Sequence, residues 1–247
     1  MKTFHVTLAL CGLGMLAAAA VAKDAPVPPK AADAPRPDAA VPAPTARNAG
    51  TARQIVFTPP RRGAPRTRTG GGTRTDGAPI DIAVLVPEDT GLTISEQPTL
   101  YWQLSQDTQA QFEFVLSDER QVAPLWRQSV TDTFRAGIHA LPVSNMNLTL
   151  APGVSYRWFV ALVRNPDQRS NDIVSSGTLE RVAPPPALDE QLATTSLEER
   201  AAIFAAHGLW YDALDALNKA IDAHPDDAHL QAQRTALLKQ VGIGGGS

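Results

Sequence analysis

The chain has 247 residues, a formal net charge of −3 and 43% hydrophobic residues, enough for one or two modest domains with true cores. A single Cys, Cys11, excludes a disulfide framework and any site built on several thiolates. The charge is unevenly spread: residues 23–79 hold ten Lys/Arg against four Asp/Glu, a net +6, whereas residues 80–247 carry −10.

Lys2 followed by an apolar run from about Phe4 to Ala19, and then by Ala20-Val21-Ala22, has the pattern of a signal peptide over 1–22 cut before Lys23. The run is shorter than the roughly 18 to 20 apolar residues that span hydrocarbon, which argues against a retained anchor. A lipoprotein reading of Cys11 meets Leu8, a large residue where a small one is expected. The expectation is an exported chain, periplasmic or secreted, with no transmembrane segment and no thiol in the mature form.

Residues 23–79 contain eleven of the 21 prolines, many alanines and almost no large apolar side chains. Such a segment buries too little apolar surface to offset its ordering entropy and is expected to be disordered. Ile55-Val56-Phe57 is its one apolar cluster, either a short docking strand or a chance grouping. Arg61, Arg62, Arg66, Arg68 and Arg74 make a basic stretch. Export argues against nucleic acid as its target, leaving an anionic surface or the protein's own acidic body, or a stretch that serves only solubility.

From residue 80 the texture changes to short alternating runs between turn residues, the spacing of an all-β sandwich over 80–183. Seven strands are predicted at about 80–86, 92–104, 111–118, 122–130, 136–143, 154–163 and 172–183. In the third, Phe112, Phe114 and Leu116 share a face; in the sixth, Val154, Tyr156, Trp158, Val160 and Leu162 do. Trp102, Tyr156 and Trp158 read as core. The run Leu150 to Trp158, with Tyr156 inside it, resembles the corner of fibronectin type III and related immunoglobulin-like domains, which implies that the Tyr156 hydroxyl folds back onto nearby backbone.

Pro184-Pro185-Pro186 separates this region from a helical module at 187–243, with helices predicted at about 196–207, 209–223 and 227–241. Ser196 with Glu199 has the form of a capping box, Gly208 ends one helix and Pro225 follows the next. Phe204, Gly208, Ala213, Leu217, Ala220 and Pro225 resemble one tetratricopeptide repeat, although Arg200 and Ala201 replace its usual Leu-Gly. A lone repeat leaves apolar surface uncovered, so the region of Trp210 and Tyr211 must dock on the sandwich or meet a partner. The closing Gly-Gly-Gly-Ser over 244–247 reads as a linker scar.

Over most of its mature length the chain resembles a bacterial family known as domain of unknown function 928. The residues that carry the likeness are Pro59 to Arg74, Leu85-Val86-Pro87, Pro98 to Trp102, Phe114 to Leu116, Tyr156 to Trp158 and Gly208 to Leu214. The resemblance implies no activity and no site residues.

No catalytic or metal-binding pattern stands out. His139, His207, His224 and His229 lack helical zinc-ligand spacing. Gly153-Val154-Ser155 lacks the second Gly of a nucleophile elbow. The glycines at 70–72 are not followed by Lys-Ser/Thr. Asp212 and Asp215 share a helix face and read as solvated. The expectation is a non-enzymatic envelope adaptor that needs no cofactor and binds an envelope protein. The alternative is a carbohydrate- or lipid-binding module using Tyr101, Trp126, Trp210 and Tyr211 as exposed stacking aromatics.

Overall fold

The computed structural model describes residues 54–60, 71–72 and 80–244. The expected signal peptide over 1–22, Cys11, the arginines at 61, 62, 66, 68 and 74 and the last three residues lie outside them.

Nine strands form two sheets, and helices follow. The strands are β1 (Gly71–Gly72), β2 (Asp81–Val84), β3 (Gly91–Thr93), β4 (Thr99–Leu104), β5 (Thr108–Asp118), β6 (Trp126–Phe134), β7 (Gly137–Pro142), β8 (Ser155–Val163) and β9 (Ile173–Arg181). One sheet has the order β1-β2-β4-β7, the other β3-β9-β8-β5-β6; only β3 and β9 run parallel.

The alternation in β5 and β8 sets the core. Phe112, Phe114 and Leu116 pair with Leu162, Val160 and Trp158, so the two predicted apolar faces meet on one side of the sheet. Trp102 of β4 enters from the opposite sheet, within 5.5 to 5.7 Å of the rings of Phe112, Phe114 and Phe134, with His139 stacked on it at 4.6 Å. Tyr156 turns back as expected: the Ala151 N–H donates to its hydroxyl at 2.8 Å.

Two strand expectations need correction. The single strand predicted at 92–104 is two, β3 and β4, which lie in different sheets. Ile94 to Pro98 carries the chain across, because Pro98 has no N–H for a ladder; Glu96 and Pro98 instead accept from Leu150 and Val143. The strand predicted at 122–130 begins four residues later. Asp118 takes the Arg120 backbone N–H and the Arg120 and Gln121 side chains, extending a turn that ends only after Pro124.

The helices are α1 (Leu188–Leu192), α2 (Leu197–Ala206), α3 (Trp210–Ala223) and α4 (Ala228–Gln240). Ser196 and Glu199 form the reciprocal capping box that starts α2, and the Asp227 carboxylate caps α4. Helix α3 is buried along most of its length, and its core is continuous with that of the sandwich. Among the described residues no helix is long and apolar enough to cross a membrane.

The expectation of disorder over 23–79 does not hold at two described places. Gly71–Gly72 adds a strand to β2, and Gln54 to Pro60 runs extended against the helices, with Ile55 1% exposed and Val56 61% exposed. The Ile-Val-Phe cluster is therefore a docking segment.

Candidate functional site

The place where the molecule handles an extended peptide segment is the groove that holds Gln54 to Pro60. Gln233 and Gln240 lie seven residues apart on α4, on one face. The Ile55 N–H donates to Gln233 Oε1 at 2.9 Å. Gln240 acts as a two-ended clamp: its Oε1 accepts from the Phe57 N–H at 2.9 Å and its Nε2 donates to the Ile55 carbonyl at 2.8 Å. A side-chain amide has one acceptor and two donors, so it can satisfy an extended backbone as a neighbouring strand would.

Two further contacts close the groove. The Thr58 N–H donates to the Ala205 carbonyl at the end of α2, at 3.0 Å. Gly208 in the α2–α3 turn has φ +73°, and a Cβ there would come within 2.8 Å of the Thr58 carbonyl oxygen. Glycine is thus required twice over, for the left-handed backbone and for the close pass of the strap.

Phe57 meets Trp210 edge to face at 5.0 Å, and the Trp210 indole N–H donates to the Leu85 carbonyl at 2.8 Å. The strap is therefore coupled through one side chain to the sandwich. Beyond Phe57 a cleft of about 320 Å³ opens, lined by Phe57, Pro59, Pro60, Pro87, Glu88 and Asp89 together with the end of α4. Its lining combines Phe57 and three prolines with the acidic Glu88 and Asp89.

Trp210 and Tyr211, expected either to dock on the sandwich or to meet a partner, are 0% and 1% exposed and take the docked alternative. Tyr211 accepts from the Trp158 indole N–H and donates to the Thr178 carbonyl, both at 3.1 Å, and burial pushes its phenol above the ordinary range. Tyr101 is buried as well, and Trp126 is half-buried at the sheet edge. The exposed stacking platform imagined from these four aromatics does not exist, because three of them fill the interface between the helices and the sheets.

Asp212 and Asp215 are likewise not on a solvated face. Asp212 Oδ2 accepts from the Ile94 N–H at 3.1 Å, and burial raises its carboxyl to about 6. Asp215 accepts from the Tyr101 hydroxyl at 2.9 Å and pairs with Lys219 at 2.7 Å. Burial, and then the Asp215 charge, hold the Tyr101 phenol well above its usual range. These acids are polar rivets between α3 and the edge of the sandwich.

The described histidines make local contacts. Half-buried His139 stacks on Trp102, His207 meets Gln191 and His229 meets Glu198 at 2.9 Å. Among the described residues no group of three or more His, Cys, Asp or Glu could hold a metal ion.

Arg61, Arg62, Arg66 and Arg68 belong to the ten residues between Pro60 and Gly71, both of which are seated on the body; Arg74 follows Gly72. In sequence, the first four arginines thus fall between two described segments and Arg74 falls outside them. Gln233 and Gln240 were invisible to sequence reasoning, since a glutamine on a helix carries no sign that it reads a main chain.

The profile of the Domain of Unknown Function (DUF928) family matches residues 63–245. The chain belongs to this family. Its description assigns no activity. The matched range takes in the sandwich, all four helices and both clamp glutamines of this DUF928 chain, and it begins just after the strap. No curated protein matches the chain.

Proposed function

We propose that this protein is a non-enzymatic scaffold of the cell envelope whose helical module holds extended peptide segments in the Gln233–Gln240 groove. The observation that carries the reading is the clamp itself: main-chain hydrogen bonds give sequence-tolerant affinity, and the pockets for Ile55 and Phe57 add selectivity. In the free protein the strap occupies the groove in cis. A partner segment with apolar residues at alternate positions, followed by proline, would compete for it.

The strand order and the Tyr156 hydroxyl contact support an immunoglobulin- or fibronectin III-like identity for the sandwich. The antiparallel α2–α3 pair, turning at Gly208, supports a tetratricopeptide-like reading of the module. Export rests on the first 22 residues, and the arginines of the basic stretch would offer an anionic surface or the acidic body a second contact.

The test uses the full chain with Ile55→Ala and Phe57→Ala, which weakens the cis strap. A labelled peptide of sequence Gln54 to Pro60 should bind this variant and not the wild type, and adding Gln240→Ala should abolish binding. Absence of binding to a variant that keeps its native near-ultraviolet signal would reduce the strap to an internal closure and remove the basis of the proposal.

A further inference from the structure

Strand β6 ends the five-stranded sheet, and among the described residues no strand pairs with its outer edge. It is the longest open edge: nine residues, against six in β7, three in β3 and two in β1. Proteins usually blunt such edges with proline, charged side chains, inward-pointing charges, bulges or brevity; β6 carries one inward-pointing charge, Asp132, whose Oδ1 accepts from the Thr133 N–H at 2.7 Å. The sequence Trp126-Arg-Gln-Ser-Val-Thr-Asp-Thr-Phe134 has no glycine, proline or lysine, and its pairing with β5 runs through nine successive partners without a bulge.

We infer that β6 is a homodimer edge, on which a second copy of this chain pairs antiparallel about a two-fold axis through Val130. The axis of a continuous sheet stands perpendicular to it, so residues facing each other must share a face, which limits the register to even shifts. With Val130 on the axis, the row pointing toward the core sets Trp126 opposite Phe134, Gln128 opposite Asp132 and Val130 opposite its own copy. The outer row sets Arg127 opposite Thr133 and Ser129 opposite Thr131.

Every cross-strand pair in this register is compatible, and no like charges face each other. A shift of two residues one way puts Asp132 opposite Trp126; a shift the other way puts it opposite Val130. Both set a carboxylate against an apolar side chain. Trp126, Val130 and Phe134 are also the three half-buried residues of the strand, at four-residue intervals, while the other six are exposed. A second copy would complete the burial of that row.

Sedimentation of the full chain should therefore show a dimer. In a Cys11→Ser background, Val130→Cys should yield an oxidised covalent dimer, because thiols that face each other across an antiparallel pair lie within disulfide reach. Ser129→Cys places its two thiols diagonally, about 7–8 Å apart, and should cross-link at least about tenfold more slowly. Val130→Lys, which sets two like charges on the axis, should weaken the dimer by at least about tenfold. A wild-type chain that sediments as a monomer throughout, or equal cross-linking at 129 and 130, overturns the inference. Because the cysteine variants are small and polar-tolerant, the result stands even if the lysine variant fails to fold.

Discussion

At the scale of single residues, Trp102 and Asp212 show how different kinds of burial act on stability. Trp102 is 1% exposed and is surrounded by Phe112, Phe114, Phe134 and His139. Replacing it by Ala empties an aromatic site, and denaturant unfolding should register a loss of about 3–5 kcal/mol, a large share of the roughly 5–15 kcal/mol that holds a domain together. Asp212 acts through protons. Burial raises its carboxyl from the ordinary 3.8 to about 6, so the native state keeps a proton that the unfolded chain gives up. Its contribution is fully present below pH 3.8 and is lost as pH rises through 6. Asp212→Asn keeps an acceptor for the Ile94 N–H without the charge. Urea titrations should show the variant gaining on the wild type by roughly 2–3 kcal/mol between pH 4 and pH 7, and a pH-independent difference would mean that Asp212 is solvated after all.

At the scale of elements, α3 cannot be treated as part of a free-standing module. Its N-terminal part is tied to Leu85 through Trp210, to Trp158 and Thr178 through Tyr211, and to Ile94 and Tyr101 through Asp212 and Asp215. Gly91 in β3 belongs to the same joint, since a Cβ there would strike the Tyr211 ring at 2.7 Å. A fragment of residues 187–243 would expose all of this surface, and a short helical hairpin cannot cover it. Expressed alone, the fragment should lack cooperative thermal unfolding by circular dichroism. Proteolysis of the intact protein at Pro184 to Pro186 should leave the two pieces associated. A folded, monomeric fragment would show that docking on the sheets is dispensable.

At the scale of the whole molecule, two ideas concern assembly: a groove that reads extended segments and a sheet edge that matches itself. They are compatible, because the groove is formed by α2 and α4 while β6 closes the five-stranded sheet. A dimer would present two grooves, and linked sites raise avidity without any new contact. Export, proposed from the pattern of the first 22 residues, sets the compartment in which such an assembly would work. Mass spectrometry of the native exported protein should find Lys23 at its N-terminus; a retained Met1 or a lipid adduct on Cys11 would place the protein differently.

The sequence by itself determined what short-range periodicity and turn chemistry can encode. The apolar rows of β5 and β8 were readable because side chains alternate every two residues, and the bounds of α2, α3 and α4 because Ser196, Glu199, Gly208 and Pro225 act on groups within four residues of themselves. Only the tertiary structure decided how these pieces share surfaces. Nothing local tells that β3 and β4 belong to different sheets, which of docking and partner binding Trp210 and Tyr211 serve, or that Asp212 and Asp215 are half-buried rivets. The clamp is the extreme case: Gln233 and Gln240 meet backbone groups 178 to 185 residues earlier in the chain. A hydrogen bond to a main chain places no demand on the partner's side chain, so neither end of that contact leaves a pattern to be read.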